Sequence, residues 1–167
     1  MPQGVSAQIV GDTISIKGKL GSNSRKFNDA LLNISLKGDV VIVDHTKLQK
    51  LSKKGANSEI ALAKEIANDI SGVDSYYERK MKAVFLHFPI NVEVKNNTVH
   101  INNIIGERMA RKAKIIGATK VDAKGQTLRV YGTSLDDVTQ TSANIRLACV
   151  MRKKDTRVFQ DGLYYEV

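Results

Sequence analysis

The sequence predicts an α+β fold made of two tandem similar domains, each a small antiparallel sheet with one helix packed on a face. Three observations lead there: the second half of the chain echoes the first at a fixed offset, short strands come in pairs around glycine turns, and an amphipathic helix closes each half.

The echo is clearest near the start of each half. With Val5 laid on Ile90 and no gap introduced, Ala7 and Ile9 fall on Val92 and Val94, and Ile14, Ile16 and Leu20 fall on Val99, Ile101 and Ile105. Thr13 meets Thr98, and Gly21 meets Gly106. A fixed-offset echo is the mark of repeated units. Further along, Ile34–Val43 reads as two strands around a Gly-Asp turn, and Thr119–Val130 as two strands with Lys124 and Gly125 at the turn. A helix follows each pair. The first is expected over Asn57–Ser71, with Ile60, Ala63, Ile66 (or Ala67) and Ile70 on its buried face and Gly72 as its stop. The second is expected over Leu135–Met151, capped by Ser134 with Asp137 three residues on, and buried along Leu135, Val138, Ser142, Ile145 and Cys149. A boundary in "GVDSYY" gives domains 1–74 and 75–167.

Composition narrows the function. The 167 residues carry 26 Lys and Arg against 17 Asp and Glu, a net charge of +9, which points to a polyanionic partner, nucleic acid before membrane. The excess is uneven: 12 cations face 9 acids in residues 1–80, and 14 face 8 in residues 81–167. The second half is therefore expected to do more of the binding. The longest apolar runs are strand-sized, too short to span a bilayer. The first twelve residues lack the pattern of a signal peptide, so the cytoplasm is the expected compartment.

Candidate chemistry is sparse. Cys149, the single cysteine, lies on the apolar stripe of the second helix and reads as a buried, inert thiol. His45, His87 and His100 have no partner at ligand spacing, and His87 and His100 fall in expected strands. "GKLG" at 18–21 matches the GxxG of a KH clamp but joins strands rather than helices, so it reads as a turn. Asp136 and Asp137 open a helix, where they face its macrodipole. Neither a nucleophile elbow nor a phosphate-cradling glycine loop is present. The sequence implies no enzyme, no metal and no cofactor.

What remains is positive charge. Lys47, Lys50 and Lys54 would form one stripe on a helix with Lys53 beside it, which reads equally as solvated surface and as RNA contact. Arg108, Arg111, Lys112 and Lys114 follow the repeated glycine, and Arg152, Lys153, Lys154 and Arg157 follow the last helix. These two clusters are richer in arginine, which can hold phosphate through two parallel hydrogen bonds, and are expected to contact RNA. Aromatics are only 5% and Trp is absent. Phe85 and Phe88 fall among apolar neighbours and read as core. Recognition by shape and backbone of folded RNA fits this better than stacking on single strands. A free-standing RNA-modifying enzyme and a protein adaptor meeting an acidic partner are the competing readings.

"YYERKMKAVFLHFPINVEV" from Tyr76, "QTSANI" from Gln140 and "DTRVFQDGLYYEV" from Asp155 closely resemble the archaeal and eukaryotic form of large-subunit ribosomal protein six. The family's usual ending is close to "DPRVFQDGIY"; here Thr156 replaces the proline and Leu163 the isoleucine. The resemblance implies a duplicated two-domain α+β fold and a structural role in the large subunit. It implies binding to 23S-type ribosomal RNA, mainly through the second domain, near the stalk base and the sarcin-ricin loop. Neighbouring large-subunit proteins and nearby translational GTPases are the further partners it implies, and a membrane is not among them. It assigns the segment Arg157–Gly162 to an RNA-facing end, with Arg157 and Gln160 reaching RNA while Phe159 packs. Read without it, Asp161-Gly162 is a hairpin turn joining Val158-Phe159 to Leu163-Tyr164. The first helix departs from the family in carrying Glu59, Glu65 and Asp69 where relatives tend to be basic.

Overall fold

The computed structural model describes the chain apart from residues 1, 3, 28–31, 39, 46–52, 152–153, 156 and 167, with the backbone alone described at 45 and 53–56. The chain divides into two compact units, Met1–Tyr76 and Tyr77–Val167.

In the first unit, β1 (Ser6–Val10) and β2 (Thr13–Lys17) form a hairpin in which Val10 pairs with Thr13. β3 (Ser22–Lys26) pairs with the other edge of β2. A second hairpin joins β4 (Leu32–Lys37) to β5 (Val40–His45), and α1 (Lys53–Asp74) follows. Strand alternation turns Ile14, Ile16, Leu32 and Ile34 inward to meet Leu62, Ile66 and Val73 of α1. Each such side chain contributes about 1.5–3 kcal/mol when fully buried.

α1 differs from its sequence reading at both the end and the face. It runs through Gly72, which does not stop it, to Asp74. The last turn is held from outside: Leu20 donates its N–H to the Val73 carbonyl at 3.1 Å. Gly18 lies so close that a Cβ there would sit 2.7 Å from Val73 Cγ2. The buried face carries Leu62, Ile66, Asp69 and Val73, whereas Ile60 is 54% exposed and Ala63 and Ala67 are exposed. Counting apolar residues alone misplaces this face because Asp69 belongs to it. Arg25 donates through Nε to Asp69 at 2.8 Å and through Nη1 to Glu65 at 2.9 Å, and Asn23 donates to Asp69 at 3.2 Å. Two of the acids that depart from the family pattern thus hold β3 against α1.

The second unit opens with β6 (Tyr77–Val84), then β7 (Asn91–Lys95), β8 (Thr98–Asn102) and β9 (Arg111–Lys114). β10 (Lys120–Lys124), β11 (Thr127–Gly132), α2 (Leu135–Cys149) and β12 (Gly162–Tyr165) complete it. β7 and β8 match β1 and β2 end for end, as the sequence echo requires, and are joined by Asn96 and Asn97, both at positive φ as a type I′ turn demands. Lys114 pairs with Thr98 as Lys26 pairs with Thr13, so β9 corresponds to β3. The loop after β8 is therefore longer than the loop after β2 by three residues, and the Gly21–Gly106 match does not extend into the next strand. Lys124 pairs with Thr127, which puts the following turn at Gly125–Gln126.

β10, β11, β6 and β12 form one sheet in that order, and β7, β8 and β9 another. α2 packs across β9, β11, β6 and β12. Val138, Ile145 and Cys149 meet Met81, Val99, Ile101, Leu128, Val130 and Leu163 in the core. The N–H of Asp137 bonds the Ser134 hydroxyl at 3.3 Å, as a cap should. α2 ends at Cys149, short of its expected end at Met151, because Val150 is extended.

The expected C-terminal hairpin does not form. The Asp155 carbonyl accepts the N–H groups of Val158 (3.1 Å) and Phe159 (2.9 Å), coiling that segment into a turn. Leu163 and Tyr164 pair with Ala83 and Lys82 of β6 instead. The long free edge of β6 offers a full ladder that a two-residue hairpin arm cannot match.

Candidate nucleic-acid interface

α2 covers one face of the second unit's sheets and leaves the other to carry its charge. Strand alternation builds that open face. On the four-stranded sheet, Lys80 and Lys82 of β6 sit opposite Arg129 and Thr127 of β11, with Lys120 and Lys124 on β10 in the same parity. All five cations are exposed, against the acids Glu78 and Asp122. Tyr131 and Tyr164, the latter 43% exposed, share this face. Arg129 donates to Glu78 at 2.7 Å and lies over the Tyr131 ring at 5.0 Å; its hydrogen bond holds the Glu78 carboxyl below the ordinary range. On the three-stranded sheet Lys112 sits opposite His100 and Lys114 opposite Thr98, with Lys95 beyond, paired to Glu93. Sequence reasoning missed the cluster on β6, β10 and β11, although alternation with Met81, Leu128 and Val130 marks it.

The segment Arg108–Lys114 divides into two roles. Asn103, Ile105 and Gly106 all have positive φ (63°, 47° and 73°), folding a single 3-10 turn, Ile104–Gly106, that buries Ile104. A β-branched residue in this region costs on the order of 1–3 kcal/mol unless its surroundings impose it. The turn aims Glu107 back at β9. Arg111 donates Nε and Nη2 to the two Glu107 oxygens at 2.8 and 2.6 Å, and Nη1 to the carbonyls of Ala148 and Val150 at 2.9 and 3.2 Å. Nη2 also approaches Met151 Sδ at 3.6 Å. Five contacts account for the five N–H groups of a guanidinium. The Arg111 hydrogen bond keeps the Glu107 carboxyl low, and the same bond raises Arg111. Arg111 is thus engaged within the unit, where it ties β9 to the end of α2. Arg108, Lys112 and Lys114 are exposed.

Of the C-terminal cluster, Arg152 and Lys153 lie outside the described residues, and so do Lys47 and Lys50 of the N-terminal lysine group. Lys53 and Lys54 begin α1, where only the backbone is described. The carbonyl of Val150 and the Met151 sulfur, both bonded by Arg111, bring the β9 cluster to the stem of the C-terminal one. Lys154 is exposed, its ammonium 4.6 Å from the Phe159 ring centre. The Arg157 side chain is 89% exposed and donates to Asp155 at 3.2 Å through both Nε and Nη2, a bond that lowers the Asp155 pKa. Gln160 donates to the Arg157 carbonyl at 3.1 Å and accepts, through its own carbonyl, from the Tyr164 hydroxyl at 3.0 Å. Phe159 is 36% exposed and lines a cleft with Arg146 and Tyr164 rather than entering the core. Beside it, Arg79 and Arg146 lie over the Tyr165 ring at 5.3 and 5.5 Å, a pairing that no sequence spacing signals.

Other expectations resolve here as well. Phe85 packs against the core, but Phe88 is 46% exposed in the β6–β7 loop, its ring 3.5 Å from where a Gly106 Cβ would be. His87 is in that same loop, not in a strand, and His100 lies in β8. Cys149 is 4% exposed, and burial pushes its thiol up to about 11, which makes it unreactive.

A duplicated α+β scaffold with a cation-rich open sheet face belongs to the class of proteins that hold polyanions. Residues 88–162 match the family described as Ribosomal protein L6. The chain is 42% identical to the large ribosomal subunit protein uL6 of Methanocella arvoryzae, over 98% of this chain and 92% of that one. It is 37% identical to the protein of that name from Methanobrevibacter smithii and 40% identical to that of Staphylothermus marinus, again over 98% of this chain and over 90% and 89% of theirs. The chain belongs to the ribosomal protein L6 family, a structural and non-enzymatic component of the large ribosomal subunit. Among the described residues, no helix is long and apolar enough to cross a membrane.

Proposed function

We propose that the chain binds and orders 23S-type ribosomal RNA near the stalk base and the sarcin-ricin loop, with the second unit as the main RNA-binding domain. The open cation-rich face of that unit carries the proposal. Residues 77–167 hold 16 cations against 9 acids, and the first unit holds 10 against 8. Arg108, Lys112, Lys114, Arg152, Lys153, Lys154, Arg157 and Gln160 contact the RNA, and Arg111 positions the segment that presents three of them. Proximity to translational GTPases follows from the same location, which the family resemblance implies. The work is electrostatic and geometric: phosphates are neutralised where RNA helices approach, and the sheet keeps them in register.

The test is rRNA binding measured across a salt series. Alanine at Lys112, Lys114, Lys154 and Arg157 should each weaken binding and flatten the log–log salt slope by about 0.7–0.9 per lost phosphate contact. Alanine at Arg152, Lys153, Lys154 and Arg157 together should cost more affinity than alanine at Lys47, Lys50, Lys53 and Lys54. Equal losses would remove the primacy of the second unit.

A further inference from the structure

We propose that the outer edge of β5, with the groove beside α1, receives an extended segment of a neighbouring large-subunit protein as an added strand. The inference rests on the chain's place in the large subunit, but its site lies in the first unit, whereas the proposed RNA face belongs to the second.

The two copies of the fold supply the argument. β5 (Val40–His45) corresponds to β11 (Thr127–Gly132) residue for residue, because Lys37 pairs with Val40 as Lys124 pairs with Thr127. The outer edge of β11 is covered by β6, which runs antiparallel and sets Met81, at 0% exposure, opposite Leu128. β12 then covers β6. Among the described residues β5 pairs with β4 alone. The consequence shows in burial: Leu128 and Val130 are 0% exposed, whereas their counterparts Val41 and Val43 are only half-buried. Beside them runs a groove of about 260 Å³, formed by Val40, Val41 and Val43 on the strand and Ala63, Ile66, Ala67 and Ile70 on the helix.

The chemistry of the groove selects its occupant. Its lining is aliphatic and offers phosphate no partner, so RNA does not fit. Of the helix positions that sequence periodicity assigns to the core, Ala63, Ile66 (or Ala67) and Ile70 line this groove, and Ile60 does not. β5 begins with four consecutive aliphatic residues, Val40–Val43, and among them is none of the charged or proline devices that keep a free strand edge from pairing. Strand addition meets both needs at once, with main-chain bonds on the edge and side chains in the groove. β6 shows what the guest must be: antiparallel to β5, with an aliphatic side chain opposite Val41, another two residues on, and polar residues between.

The test uses native large subunits and the free chain. Hydrogen exchange at residues 40–44 should be slower in the subunit than in the free protein by orders of magnitude. A benzophenone attached through Ala67→Cys should cross-link, within intact subunits, to a protein stretch of alternating aliphatic residues. Ala67→Glu places a charge at an exposed position, so the free chain should melt unchanged, while protection of residues 40–44 in the subunit falls by about tenfold or more. Cross-links confined to rRNA or to a second copy of this chain would overturn the proposal, as would equal exchange in the free and assembled states. Absence of the chain from the large-subunit fraction is a separate reading of the same gradient, and it would sink both the ribosomal placement and the guest strand.

Discussion

The two units start from one plan and hold their sheets differently. The first copy fixes its third strand with charge: Arg25, opposite Ile14 on β2, reaches Asp69 and Glu65 on α1. The second copy has Ala113 at the matching place, opposite Val99, and relies on apolar packing there. Its arginine, Arg111, sits two residues earlier and binds the end of the helix rather than its middle. Among the described residues, the second copy also has two strands without counterparts in the first, β6 and β12, which seal the far side of its core. A duplicated scaffold can therefore keep its hairpin registers while changing how it is closed. One copy is closed from within, and in the other, among the described residues, the apolar strand β5 pairs on one side only.

The largest effect that would sharpen this contrast is in the core. Leu128→Ala should cost about 2–5 kcal/mol in denaturant unfolding of the second unit. Val41→Ala at the matching position should cost well under half of that, since Val41 is only half-buried. Equal costs would show that β5 is already sealed in the free chain. Next comes Arg25→Ala, which leaves the Asp69 carboxylate, 4% exposed, without its main donor. A loss of about 2 kcal/mol is expected, reduced from the value for a fully buried pair because Arg25 is 21% exposed. Adding Asp69→Ala should recover part of it, and no recovery would mean that the pair is not what joins β3 to α1. The smallest effect is a pH dependence. The folded-state pKa of Glu107 is lowered by Arg111, so its contribution is present above the unfolded carboxylate pKa and lost as pH falls through the lowered value. Acid titration of stability should thus be shallower in Glu107→Gln than in the parent, with the difference in slope confined to acid pH and absent at neutral pH.

How far these features are legible in the sequence depends on whether local chemistry or distant contacts decide them. The β1–β2 and β7–β8 hairpins can be read because a two-residue turn and strict alternation fix the register locally. The longer loop after β8 cannot, since the Gly21–Gly106 match continues past the point where the backbones part. The buried face of α1 eludes periodicity because Asp69 is polar and owes its burial to Arg25, a residue of β3. β12 eludes it for a related reason: Asp161-Gly162 is a good turn locally, but the edge of β6, at the far end of the same unit, wins the strand. The charge clusters are visible as clusters. That Arg111 is engaged inside, while Lys112 and Lys114 face out, is a matter of strand parity that a list of cations does not contain.

The pairing of β6 with both β11 and β12 also sets an order of events during synthesis. The described strands β1–β5 and helix α1 of the first unit all precede β6, so that unit can fold before the second is complete. β6 emerges immediately afterward but has no neighbour until residues 127–132 appear, and its other edge stays open until residues 162–165 follow. Contacts so distant in sequence form slowly. For that interval the nascent chain presents an uncovered strand carrying Met81 and Ala83, and β12 is the strand that closes it.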